Sequence, residues 1–454
     1  MSKLEKYPKY KDSGVEWIRE VPEHWKIIRL TNIGRFSSSG IDKHTKQNES
    51  KVKIVNFTDI FSNTNYILDS SIKYMVVSTP EENRIKNLLN KGDLIFLPSS
   101  ETYEDLGLSA LVNETLDNTA FSYHVIRFQF KYNIDHSFRK YLTNNHSVLS
   151  HFIREGKGTT RKIIGRNVFR NAIVVLPPKQ EQTKIANYLD KKTAQIDNAI
   201  SLKEQMIERL KERRQIIIND AVTKGLDKNV KMKDSGVEWI GEISEHWEVK
   251  KFKYIFTFSK GLNITKENLE DEGIPCINYG EIHSKYGFEV IPEKHNLKCV
   301  NPSYLKNNQK SFLNNGDFVF ADTSEDIEGS GNFTYLNSKT RIFAGYHTVI
   351  ARSRNDNFEK RYIAYLFDSI NFRNQIRRQV KGVKVYSITN GILKKLFLLQ
   401  PPKKEQKYII DFIDKETSKI DNAINLQQKQ IDKLKEYKTT LIDSVVTGKV
   451  RITL

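Results

Sequence analysis

The segment EQTKIANYLDKKTAQIDNAI, Glu181–Ile200, returns as EQKYIIDFIDKETSKIDNAI at Glu405–Ile424. The two copies align without a gap at an offset of 224 (181 to 405), and eleven of the twenty positions are identical. A second stretch, KDSGVEWI, occupies Lys11–Ile18 and recurs at Lys233–Ile240. Both repeats have nearly the same offset, which is much longer than the 20 to 50 residues typical of solenoids. The sequence therefore predicts a tandem duplication of two globular units.

Each of the two EQ segments continues as a predicted helix with apolar residues every seven positions. Lys203 and Gln427 occupy the one polar position of each series. A series held over five heptads predicts coiled-coil packing. We expect the two helices to pack antiparallel on each other; the alternative is that each packs only on its own domain. The predicted packing residues are Leu189, Ile196, Ile200, Ile207, Leu210 and Ile217 in the first helix, and Ile413, Ile420, Ile424, Ile431, Leu434 and Leu441 in the second.

The segments before each helix are typical of a mixed α/β or α+β domain. Short β-type runs such as VIRFQF (Val125–Phe130) and DFVFA (Asp317–Ala321) are broken by Gly, Asn and Ser. A further strand then ends in a proline pair, Pro177-Pro178 or Pro401-Pro402, which suits the approach to a helix. We predict two similar globular domains separated by two long antiparallel coiled-coil helices, with pseudo-two-fold symmetry. The expected boundaries are 1–178 for the first domain, 179–224 for the central helix, 225–402 for the second domain, and 403–454 for the distal helix and tail.

The composition favours a polyanionic partner. Lys and Arg number 73 against 55 Asp and Glu, which gives a formal charge of +18 and a pI near 9.4; nucleic acid is the first candidate for such a chain. No run approaches the roughly 18 apolar residues of a spanning helix, and the N-terminus has no apolar signal core, so we expect a cytoplasmic protein. Cys276 and Cys299 are too few for a disulfide framework, and we expect free buried thiols.

The motifs of the common enzymes are missing. The sequence has no GxxxxGK[ST] phosphate loop, no convincing metal-ligand spacing and no nucleophile elbow. NPSY, Asn301–Tyr304, approaches the loop with which amino-methyltransferases hold a flipped base, but Ser303 stands at its central position and helix capping explains it better. The loops SSETYEDLG (Ser99–Gly107) and TSEDIEG (Thr323–Gly329), here named the first and second acidic loops, lack a nuclease's lysine. We therefore predict neither a catalytic nor a metal site.

All four tryptophans lie in one repeated element. Trp17 and Trp25 belong to Lys11–Trp25, and Trp239 and Trp247 to Lys233–Trp247; these two segments are named the first and second clasps. Tryptophan brings a large apolar area and one N–H that needs a partner. We interpret the clasps as structural elements that pin each segment to its domain or to a neighbour, with His24 and His246 as hydrogen-bonded scaffold. A direct ligand site is the alternative.

With two copies of DSGVEWI…EHW, two diverged domains, and two PPxxEQ helices containing IDNAI, the chain closely resembles a Type I restriction-modification specificity subunit, over nearly its whole length. The resemblance implies that each domain reads one half of a split, asymmetric DNA target, and that the helices separate the domains and contact the modification subunits. It also implies no catalytic activity and no cofactor in this chain. S-adenosylmethionine and ATP with Mg²⁺ would belong to partner subunits: modification subunits, two of them, and restriction subunits.

Two domains at a fixed separation would address two half-sites on one duplex, as dimeric readers do. The predicted contacts concentrate in the first basic loop, Arg154–Lys162, and the second basic loop, Arg377–Tyr386, whose composition suits phosphates and base edges. A solvated basic face is the alternative. The candidate DNA-binding residues are Tyr103, Arg154, Lys157, Thr159, Thr160, Arg161, Lys162, Lys260, Asn263, Arg377, Arg378, Lys381, Lys384 and Tyr386. A self-sufficient DNA methyltransferase or nuclease, and a coiled-coil scaffold, remain as alternative functions.

Overall fold

The structure is a computed structural model that describes residues 3–238, 240–382 and 384–453. Its contacts divide the chain into two compact units. The first unit contains the chain up to Lys203 together with the segment from Gln428, and the second contains Glu204–Gln427. Each long helix therefore contributes one half to each unit.

The first unit is built on a five-stranded sheet. Its strands run antiparallel to their neighbours, except for a parallel pair at one edge. In spatial order they are Gly34–Ser38, Ile126–Phe130, Leu94–Phe96, Ser109–Val112 and Ile67–Leu68. A three-stranded sheet has the order Thr119–Phe121, Ser50–Val55 and Met75–Thr79. Four two-stranded pairs complete the unit: Lys3–Glu5 with Arg451–Thr453, Tyr10–Asp12 with Glu20–Pro22, Lys26–Arg29 with Ile173–Leu176, and Ser99–Ser100 with Lys162–Ile163.

The second unit repeats this topology. Its five-stranded sheet has the order Phe256–Lys260, Thr348–Ser353, Phe318–Ala321, Phe333–Leu336 and Phe288–Val290, again with one parallel pair at the edge. The three-stranded sheet has the order Cys299–Val300, Ile274–Ile277 and Phe343–Ala344. The two-stranded pairs are Met232–Asp234 with Glu242–Ser244, Glu248–Lys251 with Phe397–Gln400, and Thr323–Ser324 with Tyr386–Ser387. The shared strand order confirms the predicted duplication.

Short helices connect these strands. In the first unit they are Leu30–Ile33, Phe57–Phe61, Glu81–Asn87, Phe138–Thr143, His146–Glu155 and Arg166–Asn171. In the second unit they are Phe252–Ile255, Tyr279–Ser284, Lys360–Asp368, Ile370–Arg377 and Asn390–Leu393, with 3-10 turns at Lys266–Asn268, Pro302–Lys306 and Gln309–Ser311. The mixed α+β architecture is the predicted one.

Aromatic side chains fill the space between the sheet and the helices in each unit. Phe36 lies 4.6 Å from Phe128 between ring centroids, and Phe152 lies 4.9 Å from Phe169. In the second unit the ring of Phe367 contacts six other phenylalanines, namely Phe252, Phe256, Phe318, Phe320, Phe333 and Phe372. The contact with Phe372 is stacked and the others are tilted or edge-to-face. Such contacts add to the free energy gained by burying apolar area.

The two long helices begin directly after the proline pairs, as predicted. The central helix spans Lys179–Lys224 and the distal helix spans Lys403–Val446. Each start is held by the glutamine at the fourth residue of the helix. Gln182 accepts from the backbone N–H of Asp135 at 2.8 Å and donates to the Pro177 carbonyl at 2.8 Å. Gln406 does the same for its own unit. The repeated PPxxEQ sequence therefore satisfies backbone groups that burial would otherwise leave unpaired.

The helices pack antiparallel within each unit. In the first unit Leu189 and Ile196 of the central helix share one apolar cluster with Leu441 and Val445 of the distal helix. Lys438 donates to both oxygens of Asp197 at 2.8 Å, and Lys203 donates to Gln430. As residue numbers rise along one helix they fall along the other, so the predicted antiparallel pairing is confirmed.

The second unit contains the equivalent contacts. Ala221 and Val222 share an apolar cluster with Ile409 and Ile413, and Arg214 pairs with Asp421 at 3.5 Å. Both Asp197 and Asp421 belong to the repeated IDNAI sequence, so the same aspartate bridges to the opposite helix in each copy. Of the predicted packing residues, Leu189, Ile196, Ile207, Ile413, Ile420, Ile431 and Leu441 are buried, whereas Ile200, Leu210, Ile217, Ile424 and Leu434 are half-buried.

Each clasp is bonded to the start of the long helix in its own unit. In the first unit the carboxylate of Glu181 accepts from Trp25 Nε1 at 3.1 Å and contacts His24 Nε2 at 2.7 Å. In the second unit Trp247 and His246 contact Glu405 at the same two distances. Both indoles are fully buried. This is the packing that the clasp hypothesis predicts, and both histidines are scaffold as expected.

The other two tryptophans of the clasps are Trp17 and Trp239. Trp17 stacks on His151 at 6.0 Å between ring centroids and is half-buried. Trp239 lies outside the described residues.

Cys276 and Cys299 are free and buried, as expected, and burial raises the pKa of both thiols. Within the described ranges, no helix combines the length and apolar character needed to cross a bilayer.

Candidate DNA interface

The basic and acidic loops of each unit are joined by a short strand pair. In the first unit Ser99 pairs with Ile163, and Ser100 pairs with Lys162. In the second unit Thr323 pairs with Ser387, and Ser324 pairs with Tyr386. The register is the same in both units, so the two loops that sequence analysis considered separately form one surface in each. These surfaces are named the first and second recognition surfaces.

The first basic loop is closed by its own lysine. Lys162 Nζ donates to the carbonyls of Gly158 at 2.6 Å and Thr159 at 2.8 Å, and lies 4.6 Å from the ring centroid of Tyr103. Gly158 has φ +124°, and a Cβ at this position would overlap the carbonyl oxygen of Arg161. The loop therefore requires glycine here.

Arg161 is the exposed cation at the centre of the first recognition surface. Its Nε donates to Ser99 Oγ at 3.1 Å, and its guanidinium lies 5.3 Å from the ring centroid of Phe57. The positive charge of Arg161 also acts on His124. Burial, Lys43 and Arg161 together lower the pKa of the His124 imidazole. A guanidinium stacked on an aromatic ring is held in place with little loss of its hydrogen-bonding capacity.

The other candidates of the first unit lie in two places. Lys157, Thr159, Thr160 and Tyr103 are exposed on the first recognition surface. Arg154, by contrast, belongs to the helix His146–Glu155 and turns to the first clasp. It pairs with Glu16 at 3.3 Å and lies 4.8 Å from the Trp17 ring centroid. The structure therefore separates Arg154 from the loop residues with which the sequence grouped it.

The candidates of the second unit are also divided. Lys381, Lys384 and Arg378 are exposed, and Tyr386 is half-buried in its strand. Arg377 instead donates to the Glu328 carbonyl at 2.6 Å, and burial lowers the pKa of its guanidinium. Arg377 therefore stabilises the backbone of the second acidic loop through this hydrogen bond.

Lys260 and Asn263 are exposed on a separate loop of the second unit. The backbone N–H of Leu262 donates to the Ala344 carbonyl at 2.8 Å, and that of Gly261 donates to the Thr348 carbonyl at 3.1 Å. Two residues between these acceptors, Tyr346 and His347, lie within 5.6 Å and 5.3 Å of the Tyr279 ring centroid. The loop is thus connected to the second recognition surface through Tyr279.

A cavity of about 680 Å³ opens on the second recognition surface. Its lining combines an aromatic ring, hydroxyls, carboxylates and amide groups, including Tyr279, His283, Ser324, Asp326, Asn332 and Val385. By the register of the strand pairs, Val385 holds the place of Arg161 in the first unit. Tyr279 holds the place of Phe57, because each is the first residue of the equivalent short helix. One surface therefore presents a guanidinium where the other presents a polar cavity.

Sequence analysis missed the aromatic residue at the centre of each surface. Phe57 and Tyr279 each begin a short helix whose preceding asparagine forms a capping box with an acidic residue three positions on. The sequences NFTD (Asn56–Asp59) and NYGE (Asn278–Glu281) contain this signal at an offset of 222 (56 to 278). A search for repeated capping boxes would have found both residues.

The NPSY segment, Asn301–Tyr304, has a structural role. Asn301 accepts from the backbone N–H of Ser303 at 3.1 Å and caps the turn Pro302–Lys306, so the capping interpretation of NPSY is confirmed. Among the described residues, no group of three His, Cys, Asp or Glu side chains is placed to hold a metal ion.

The family model described as the Type I restriction modification DNA specificity domain matches this chain twice, at residues 22–212 and 244–436. The chain belongs to this family. The two matched stretches contain the two recognition surfaces and the starts of both long helices. The expected role, sequence specificity in a Type I restriction-modification system without catalytic activity of its own, is confirmed by this match and by the names of the relatives.

Relatives match over almost the full chain. The Type I restriction enzyme MjaVIII specificity subunit of Methanocaldococcus jannaschii is 23% identical over 442 residues, covering 95% of this chain and 94% of its own. The putative Type I restriction enzyme MjaX specificity subunit of the same organism is 24% identical over 444 residues, covering 96% of each. A chain solved in a study of complex assembly and conformational transition of the Type I R-M system has a TM-score of 0.68 at 15% identity, covering 94% of this chain and 98% of its own. That likeness confirms the expected fold class.

Proposed function

We propose that each recognition surface of this specificity subunit reads one half of a split, asymmetric double-stranded DNA sequence. The observation that carries the proposal is the repeated strand pair, which holds a basic loop at the same place in both units while the side chains around it differ. Arg161 over Phe57 suits the acceptor edge of guanine, because bidentate arginine contacts to O6 and N7 are the commonest specific contact. The cavity that replaces it suits a different base.

The remaining cations of the two surfaces would position the duplex. Lys157 in the first basic loop, and Lys381 and Lys384 in the second, are exposed and carry the charge that phosphates attract. Thr159, Thr160 and Tyr103 are exposed on the first recognition surface and would add hydrogen bonds, as would Lys260 and Asn263 on their separate loop of the second unit. Arg154 and Arg377 would act indirectly, through the first clasp and the second acidic loop.

The two long helices would set the spacing of the half-sites and dock the modification subunits. Leu202 and Leu426 occupy equivalent positions of the repeated sequence, and their side chains are 56% and 55% exposed. Large apolar side chains exposed at equivalent places on both helices favour a partner that binds the same way twice, hence two modification subunits. S-adenosylmethionine, ATP and Mg²⁺ would then be bound by the modification and restriction subunits, in the cytoplasm, and not by this chain.

DNA titrations of the complex between this chain and its modification subunit test the proposal. We expect binding whose affinity falls with salt, because neutralised phosphates release counterions, and tighter binding to cognate than to scrambled duplex. A complex that binds no DNA would favour a scaffold role. S-adenosylmethionine binding by the purified chain alone would favour the self-sufficient methyltransferase instead.

A further inference from the structure

A continuous series of polar contacts runs from the second recognition surface to the paired helices of the second unit. His283 Nε2 lies 2.9 Å from the Thr323 carbonyl oxygen, and Asn332 Nδ2 lies 2.8 Å from His283 Nδ1. Arg373 donates from Nη1 to Asn332 Oδ1 at 2.6 Å and from Nη2 to Asp368 at 2.9 Å. This series, from Thr323 to Asp368, is named the polar relay.

Arg214 of the central helix joins the end of the polar relay to the helix pair. Arg214 pairs with Asp368 at 3.5 Å and with Asp421 of the distal helix at 3.5 Å. Asp368 is buried, so its two cationic partners offset the desolvation of its carboxylate. A displacement of the helix pair in this unit would therefore be transmitted to Arg373.

The direction of each hydrogen bond in the relay is fixed. The Thr323 carbonyl can only accept, so His283 carries its proton on Nε2, and Nδ1 must accept from the amide nitrogen of Asn332. The amide oxygen of Asn332 is then oriented toward Arg373, as observed. Asn332 and His283 both line the cavity, so the relay determines which of their atoms face one another beside the Thr323–Ser324 strand.

The first unit has apolar residues at the same places. Phe61 stands where the second unit has His283, Leu108 where it has Asn332, and Leu149 where it has Arg373. The surrounding backbone contacts are equivalent, since Leu108 N–H bonds to residue 105 and Asn332 N–H bonds to residue 329. Phe61 is 48% exposed and stacks on Phe57, whereas Leu108 and Leu149 pack against two different apolar clusters. The duplicated fold therefore forms in the first unit without polar contacts between these positions, and the polar residues of the second unit need another explanation.

We propose that Asn332 and Arg373 are positioning residues for base selection by the second recognition surface. They hold the Thr323–Ser324 strand, and the cavity beside it, at a fixed position relative to the helix pair of the second unit. The inference rests on the proposed function of that surface.

The test uses the full chain with its modification subunit and reads the base preference at every position of both half-sites from methylated-motif sequencing. Asn332→Leu should relax discrimination roughly tenfold in one half-site, because it removes the contacts that orient the half-buried side chains of His283 and Arg373. The other half-site should be unchanged. The combination H283F/N332L/R373L/D368N copies the first unit, which has Asn144 where the second has Asp368, so it leaves no buried carboxylate without its cation. It should recover the melting temperature without recovering the base preference. Arg354→Gln, which removes an exposed charge from the same unit, is the control.

A combined variant with wild-type preference at both half-sites would overturn the inference, since the relay would then have no effect on base selection. Equal relaxation in both half-sites would also overturn it, because the relay belongs to one unit. Failure of the proposed function looks different: the wild-type complex would then produce no split motif, and the inference would fall with it.

Discussion

The indole nitrogen of Trp25 donates a 3.1 Å hydrogen bond to the carboxylate of Glu181, 156 positions later in the chain. His24 and the hydroxyl of Tyr7 contact the same carboxylate, at 2.7 Å and 3.1 Å. Glu181 lies in the first turn of the central helix, where a negative charge also interacts favourably with the helix dipole. The conspicuous EHW and EQ motifs are therefore the two sides of one contact.

Trp25→Phe tests this contact by removing the N–H while keeping an aromatic ring. We expect the free energy of unfolding to fall by about 1.5–3 kcal/mol, the usual contribution of a hydrogen bond to a charged group. Urea unfolding of the full chain measures it. Trp17→Phe is the control, because Trp17 stacks on His151 and the ring stacking survives the change. Equal losses in the two variants would contradict a specific role for the Trp25 hydrogen bond.

The bridge between Asp197 and Lys438 should stabilise the helix pair measurably. Lys438 is mostly buried, with 17% of its side chain exposed, so water screens this pair less than a surface pair. A double-mutant cycle with alanine at both positions should give a coupling free energy on the order of 1 kcal/mol. The exposed pair Glu208–Lys211 of the central helix should give about 0.2–0.5 kcal/mol. A coupling for Asp197 and Lys438 no larger than this control would refute the bridge.

Gly158→Ala should distort the first basic loop. Alanine is strained at φ +124°, and its Cβ would overlap the Arg161 carbonyl oxygen. We expect weaker binding of the assembled complex to cognate duplex, with the loss confined to one half-site in competition assays. Gly165→Ala is the matched control, since no atom lies within 4 Å of a Cβ built there. If both variants bind alike, the shape of this loop does not matter for recognition.

Arg161→Ala should relax the preference for one base. Loss of a bidentate contact to guanine costs about 1–3 kcal/mol of discrimination, roughly 5- to 150-fold. Arg154→Ala should instead leave base preference intact and lower stability by about 0.5–1 kcal/mol, because its cation–π contact with Trp17 is lost. Binding titrations on duplexes with single base changes distinguish the two. Uniform weakening on all duplexes with a flatter salt dependence would make Arg161 a phosphate contact.

The features that sequence predicted best are those with a regular period or a repeated copy. The seven-residue spacing of Leu189 and Ile196 reflects burial along one side of a helix, and the structure places both in the helix interface. The strand pairs at Ser99–Ser100 and Thr323–Ser324 are two residues long, too short to show any period, so the sequence did not indicate that the acidic and basic loops adjoin. Arg154 was grouped with the wrong neighbours because its direction depends on the helix that precedes the loop.

We propose that this chain selects the DNA sequence on which a modification complex acts. Methylome sequencing of cells that express the chain with its modification subunit, beside cells that lack the chain, tests it most directly. We predict a split adenine motif, with two dissimilar halves, that is present only when the chain is expressed. An assembled complex that leaves methylation unchanged would contradict the claim.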